Sequence, residues 1–166
     1  MGPPPMTEAA PQSPVVAEET PFDAAAIDRV VDRAFGPGRY AKTAERLREG
    51  SEPIGGLIAR VGREVIGSVR LWPVTVGEVR AAFLGPIAVE AVWRSGKVGA
   101  YLVEACIERA RSLGLSGVLL VGDAPYFGRF GFEVAPLAAV PGPVDQRRVL
   151  WLSLDGSEAE GVVARG

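Results

Sequence analysis

Residues 84–112 read LGPIAVEAVWRSGKVGAYLVEACIERARS. A short apolar strand over 84–89 runs into a basic, glycine-bearing turn, Arg94-Ser95-Gly96-Lys97-Val98-Gly99, and then into an amphipathic helix. On that helix Val98, Leu102, Val103, Cys106, Ile107, Ala110 and Leu113 share one face, and Glu104, Glu108, Arg109 and Arg111 share the other. Arg109 and Arg111 sit in the last turn, where cations suit the helix dipole, and Gly114 is a natural stop. The continuous apolar run GVLLV at 117–121 follows, as expected of a strand buried on both faces. Strand, helix and strand form a βαβ unit, which predicts parallel strands with a right-handed crossover. Ligands of such units bind beyond the carboxyl ends of the strands, here Val89 and Glu90 on one and Val121, Gly122 and Asp123 on the other. A helix that opens from a glycine turn also offers free amides and a positive dipole end to a phosphate.

On the amino-terminal side the period changes. Residues 54–60, 64–73 and 79–89 read as three strands joined by turns at Gly62-Arg63 and Gly77-Glu78, an antiparallel meander. Pro86 interrupts the third strand, since proline has no ladder donor. The interruption is either a bulge or edge, or a device that leaves the amides of Ile87 to Val89 free for a ligand. Further upstream, 15–19 suits a first strand, and Asp23 is a candidate cap for a helix carrying Ala26, Ile27, Val30, Val31, Ala34 and Phe35 at helical spacing. Gly36-Pro37-Gly38 ends that helix, and 40–49 predicts a second, weaker one suited to a lid. Downstream, Asp123 is a plausible cap for a short helix over 125–130, and 134–137 and 147–154 read as strands. One domain over 14–155 is expected, with a disordered tail at 1–13 and a loose one at 156–166.

Composition narrows the chemistry. The chain has 166 residues, 48% hydrophobic and 23% charged, which suits a single domain with a substantial core. A net charge of −2 gives no basis for bulk nucleic-acid binding. There is no histidine, and Cys106 is the only cysteine. Histidine-based triads, multi-cysteine metal sites and internal disulfides are therefore excluded, and no metal is expected. No apolar run reaches the roughly 20 residues of a membrane helix, and no secretory signal is apparent. The expected setting is cytoplasmic.

Three phosphate-binding readings compete for the turn. A dinucleotide loop needs G-x-G-x-x-G, and only Gly96 and Gly99 are present. A P-loop needs glycine at 91 and Ser or Thr at 98, where the chain has Ala91 and Val98. The third reading is an acetyltransferase pyrophosphate loop. The span 15–154 resembles the GNAT superfamily of acetyl-CoA-dependent N-acetyltransferases. The resemblance rests on the LGPIAV strand at 84–89, the Arg94 to Ala100 loop with its R-x-x-K-x-G spacing, and the GDAPYFGRFGF stretch at 122–132.

That resemblance implies an α/β fold, a central twisted mixed sheet with a V-shaped opening between two parallel strands. It implies acetyl-CoA as acyl donor, with the pantetheine arm on Ile87, Ala88 and Val89. The pyrophosphate would lie on Arg94, Ser95, Gly96, Lys97, Val98, Gly99 and Ala100. A primary amine of a small molecule or peptide would attack the thioester directly, with no nucleic acid or membrane partner, and homodimers are common among such proteins. Lys97 stands where the motif has a glycine, and a positive φ there would cost about 1–2 kcal/mol. Phe127 stands where the family usually places a leaving-group tyrosine, with Tyr126 beside it. Tyr126 and Glu90 are the catalytic candidates; packing for Tyr126 and a solvated role for Glu90 are their alternatives. Trp72 and Trp93 either line an acceptor pocket or pack. The substitutions at 97 and 127 also define a second reading, a non-catalytic acyl-CoA-binding sensor or interaction module.

Overall fold

The computed structural model describes residues 13–35, 52–94 and 96–166. The expected helix at 40–49, the Gly36-Pro37-Gly38 stop, Ser95 and residues 1–12 lie outside the described residues. Strand β1 (Val15–Glu18) leads through a short 3-10 turn into helix α1 (Ala24–Phe35). Then come β2 (Gly55–Val61), β3 (Glu64–Val76), β4 (Val79–Val89), α2 (Val98–Ser112), β5 (Gly117–Val121) and α3 (Ala124–Gly128). Strands β6 (Glu133–Val134), β7 (Ala138–Ala139), β8 (Val149–Ser153) and β9 (Gly161–Arg165) complete the chain.

The meander β2-β3-β4 is antiparallel, as its alternating pattern predicts. β4 then pairs parallel with β5, and β5 antiparallel with β8, giving the order β1-β2-β3-β4-β5-β8-β6. The sheet is therefore mixed, as the βαβ reading requires. Along β2 the pleat sends Leu57 and Ala59 to one face and Ile58 to the other. The first face takes α2 through Val98, Leu102, Val103, Cys106 and Ala110. The second takes α1 through Ile27, Val30 and Val31. Two ion pairs fasten the first strand: Arg109 to Glu18 at 2.9 Å, and Arg70 to both oxygens of Glu19 at 2.9 and 3.0 Å.

Several expectations change in detail. The helix entry is capped by Thr20, whose backbone and side chain both bond Asp23 in a capping box, so Asp23 is the third helical residue and not the cap. Leu113 is 40% exposed because it follows the last helical turn and leaves the buried face. Residues 161–165, read from sequence as part of a loose tail, form β9 on the edge of β3 beyond the end of β2, pairing Val76 with Val163. Val163 is buried there. Gly77, with φ 59°, allows this closure, because a Cβ would stand 2.4 Å from the Glu160 carbonyl oxygen.

Cys106 lies in the core at 0% exposure, and burial pushes its thiol up to about 12. It is a packing residue and stays protonated at any ordinary pH. Alkylation at pH 8 is expected to run about 10³-fold or more slower in the native protein than in denaturant, because reagent meets thiolate only after opening. Comparable labelling rates would contradict this packing.

Candidate active site

The site follows from a short register. β4 and β5 pair only from Ala81 with Gly117 to Phe83 with Leu119. Beyond Leu119, β5 keeps its bonds to β8, while β4 keeps its bonds to β3 as far as Val89. The two parallel strands thus part at Phe83, and among the described residues no strand pairs with the β5-facing edge of 84–89. The cause lies partly in β4 itself: Gly85 and Pro86 together stand opposite Arg70, a bulge between the Leu71–Leu84 and Val69–Ile87 pairs. Gly85 has φ 148°, and its carbonyl accepts the Trp72 indole N–H at 2.6 Å. Trp72 is thereby fixed in the core, the packing alternative for that residue. Trp93 is half-buried and packs against the α2-side core.

After the bulge the ladder is regular. The Glu90 amide donates to the Ile66 carbonyl at 2.8 Å, so Glu90 and Ala88 turn their backbone groups toward β3. Ile87 and Val89, on the alternate phase, turn theirs into the opening. Of these outward groups, the Val89 carbonyl accepts the Arg94 side-chain Nε–H at 2.9 Å. Arg94 thus folds back on the strand it follows.

Beyond the turn, Lys97 is the N-cap of α2, exposed, with φ −104°. No described non-glycine residue has a positive φ, so lysine at 97 carries no left-handed strain. Gly96 also has room, since a Cβ there would meet only the Trp93 carbonyl at 3.6 Å. The Tyr101 amide donates to the Lys97 carbonyl at 2.9 Å, so the amides of Val98, Gly99 and Ala100 precede the helical ladder. Val98 is buried, Gly99 and Ala100 half-buried.

The facing wall is α3, capped by the Asp123 carboxylate, which accepts the Tyr126 amide at 3.0 Å. Phe127 turns inward: Gly122 leaves the space its ring fills, since a Cβ on Gly122 would stand 2.6 Å from Phe127 Cε2. Phe127 meets Phe132 edge to face with centroids 5.9 Å apart. Tyr126 turns the other way, toward α2. A Cβ built on Gly99 would lie 3.4 Å from the Tyr126 hydroxyl oxygen. Arg129 lies over the Tyr126 ring at 4.2 Å.

Glu90, at the carboxyl end of β4, is ion-paired with Arg33 of α1. Its side chain is 15% exposed and that of Arg33 58%, so the pair lies at the surface with Glu90 on its inner side. Sequence reading missed Arg33, which is 57 residues from its partner. The only local cue is a basic residue in the last turn of α1, which has an ordinary dipole explanation.

A mixed sheet parted between two parallel strands, with a helix N-terminus at its mouth, is the architecture of an acyl-CoA N-acyltransferase. The chain belongs to the GNAT acetyltransferase family: the sequence model of the Acetyltransferase (GNAT) family matches residues 24–132. The Escherichia coli K12 protein named uncharacterized N-acetyltransferase YhbS is 32% identical over 124 residues, spanning 73% of this chain and 74% of that protein. A crystal structure of E. coli YhbS in complex with CoA superposes with a TM-score of 0.79 at 29% identity, covering 93% of this chain and 91% of that one. A GNAT family acetyltransferase from Brucella melitensis, solved with acetyl-CoA, gives a TM-score of 0.74 at 25% identity, covering 93% and 97%.

Proposed function

We propose that the protein transfers an acetyl group from acetyl-CoA to a primary amine of a small molecule or peptide by direct attack. The observation that carries this reading is the parting of β4 from β5 after Phe83, which turns the backbone groups of Ile87 and Val89 into an opening that ends at the first turn of α2. A coenzyme bound in the related E. coli and Brucella structures supports the same donor here. Ile87, Ala88 and Val89 would hold the extended arm, with Ile87 and Val89 supplying the outward amides. Gly96 to Ala100 would hold the pyrophosphate on helix amides and dipole.

The donor supplies a thioester carbonyl whose carbon the amine attacks. A C–N bond forms, the C–S bond breaks, and the electron pair leaves on sulfur. An outward strand amide stabilises the charge that develops on the carbonyl oxygen. Glu90 is the carboxylate we assign to the departing amine proton, taken directly or through water. The thiolate is stable enough near neutral pH to be protonated by water, so Phe127 at the family's tyrosine position does not block the reaction. A cytoplasmic setting and a homodimer belong to the same reading.

A thiol-release assay over a panel of primary amines tests the reading. Amine-dependent release of CoA is the expected result. Binding of acetyl-CoA with no release for any amine would instead establish the sensor reading. Lys97 provides a separate check. Its exposure and ordinary φ suit a side chain that adds charge beside the phosphates, so Lys97→Gly is expected to weaken acetyl-CoA binding by about 2–5-fold, with a shallower salt dependence. A clear gain in affinity would refute the contact.

A further inference from the structure

We infer that Tyr126 is a coenzyme-positioning residue: its hydroxyl donates to the phosphates seated on the first turn of α2 and does not protonate the leaving thiolate. The inference rests on the acetyl-CoA reading above and deepens it. Its first support is the placement of the hydroxyl. A methyl-sized group on Gly99 would be in van der Waals contact with that oxygen, at 3.4 Å. Gly99 lies among the three amides that precede the α2 ladder, where the coenzyme's phosphate would be held on this reading. The thioester belongs at the opposite end of the pantetheine arm, back along β4 toward Ile87.

The second support is the packing that sets this direction. Phe127 fills the space that Gly122 leaves, and Tyr126 and Phe127 meet edge to face at 87°, with centroids 4.9 Å apart. With one ring committed to the core, its neighbour is sent to the α2 side. The third support is charge. Arg129 lies 4.2 Å over the Tyr126 ring, so the wall facing the α2 terminus carries a guanidinium beside the phenol. The hydroxyl stands beside the helix terminus and a guanidinium covers its ring, a donor with a cation close by, a combination suited to phosphate oxygens.

The test compares Tyr126→Phe with the wild type on two acyl donors, acetyl-CoA and S-acetylpantetheine, which keeps the thioester and arm but lacks the pyrophosphate. With acetyl-CoA, the variant is expected to raise KM and the calorimetric Kd about tenfold while kcat and its pH profile are retained. With S-acetylpantetheine, variant and wild type should have the same kcat/KM. A variant that loses kcat with both donors, and gains a changed alkaline limb in its pH profile, would show that Tyr126 protonates the thiolate and would overturn the inference. An unchanged Kd for acetyl-CoA would overturn it as well. Failure of the wild type itself to bind acetyl-CoA would be a different outcome, since it removes the underlying reading before the variant is compared.

Discussion

Leu102→Ala is expected to lower the unfolding free energy by about 2–5 kcal/mol, the range for a fully buried leucine whose cavity cannot collapse. Leu102 is 0% exposed at the centre of the face that α2 lays on the sheet. Its Cδ1 sits 3.1 Å from where a Cβ on Gly67 would be, so the side chain rests almost directly on the β3 backbone. A strand backbone in a sheet cannot move in to fill the space. The helix depends on this contact, because a segment of its length is marginal without tertiary packing. Urea unfolding followed by tryptophan fluorescence would measure the loss as a lower midpoint at constant slope. A change under about 1 kcal/mol would mean that α2 is not docked in this way.

Gly122→Ala is expected to be nearly as damaging locally and more informative about the site. The added Cβ would stand 2.6 Å from Phe127 Cε2 and 3.0 Å from both Phe127 Cδ2 and Leu120 Cδ1. Gly122 does not have a positive φ, so backbone strain plays no part and the cost is steric. Overpacking of this kind costs about 1–3 kcal/mol. The displaced Phe127 ring would carry Tyr126 with it, and acetyl-CoA Kd should rise about tenfold, as for loss of the Tyr126 hydroxyl itself. Phe127→Ala in the same chain should relieve the steric part, giving a coupling energy of about 1 kcal/mol or more in a double-mutant cycle. Additive stability effects would show that the two positions do not meet.

These two positions also show what the sequence discloses and what it withholds. The meander and the βαβ unit were legible because burial imposes period 2 on 54–89 and a helical period on 98–112, and both periods survive in the residue pattern. β9 was not legible. Only Val163 of its five residues is buried, and its partners are the far end of β3 and the two-residue β7, so no local periodicity marks it. The coenzyme turn was legible as a motif, but the conformation at Lys97 was not. A glycine in a family pattern suggests a positive φ, whereas here lysine caps the helix at φ −104°. The choice between Tyr126 and Phe127 depends on which ring Gly122 admits to the core. That glycine was in view as part of the motif, but its role is spatial and appears only once β5 and α3 are folded together. The Arg33–Glu90 pair is the same kind of fact, two ordinary charges brought together by the docking of α1.

Isothermal titration with acetyl-CoA, at low and at raised salt, tests the central claim most directly. The opening between β4 and β5 and the first turn of α2 predict saturable binding at a single site, weaker as salt screens the phosphates. No detectable heat at millimolar acetyl-CoA would contradict the account.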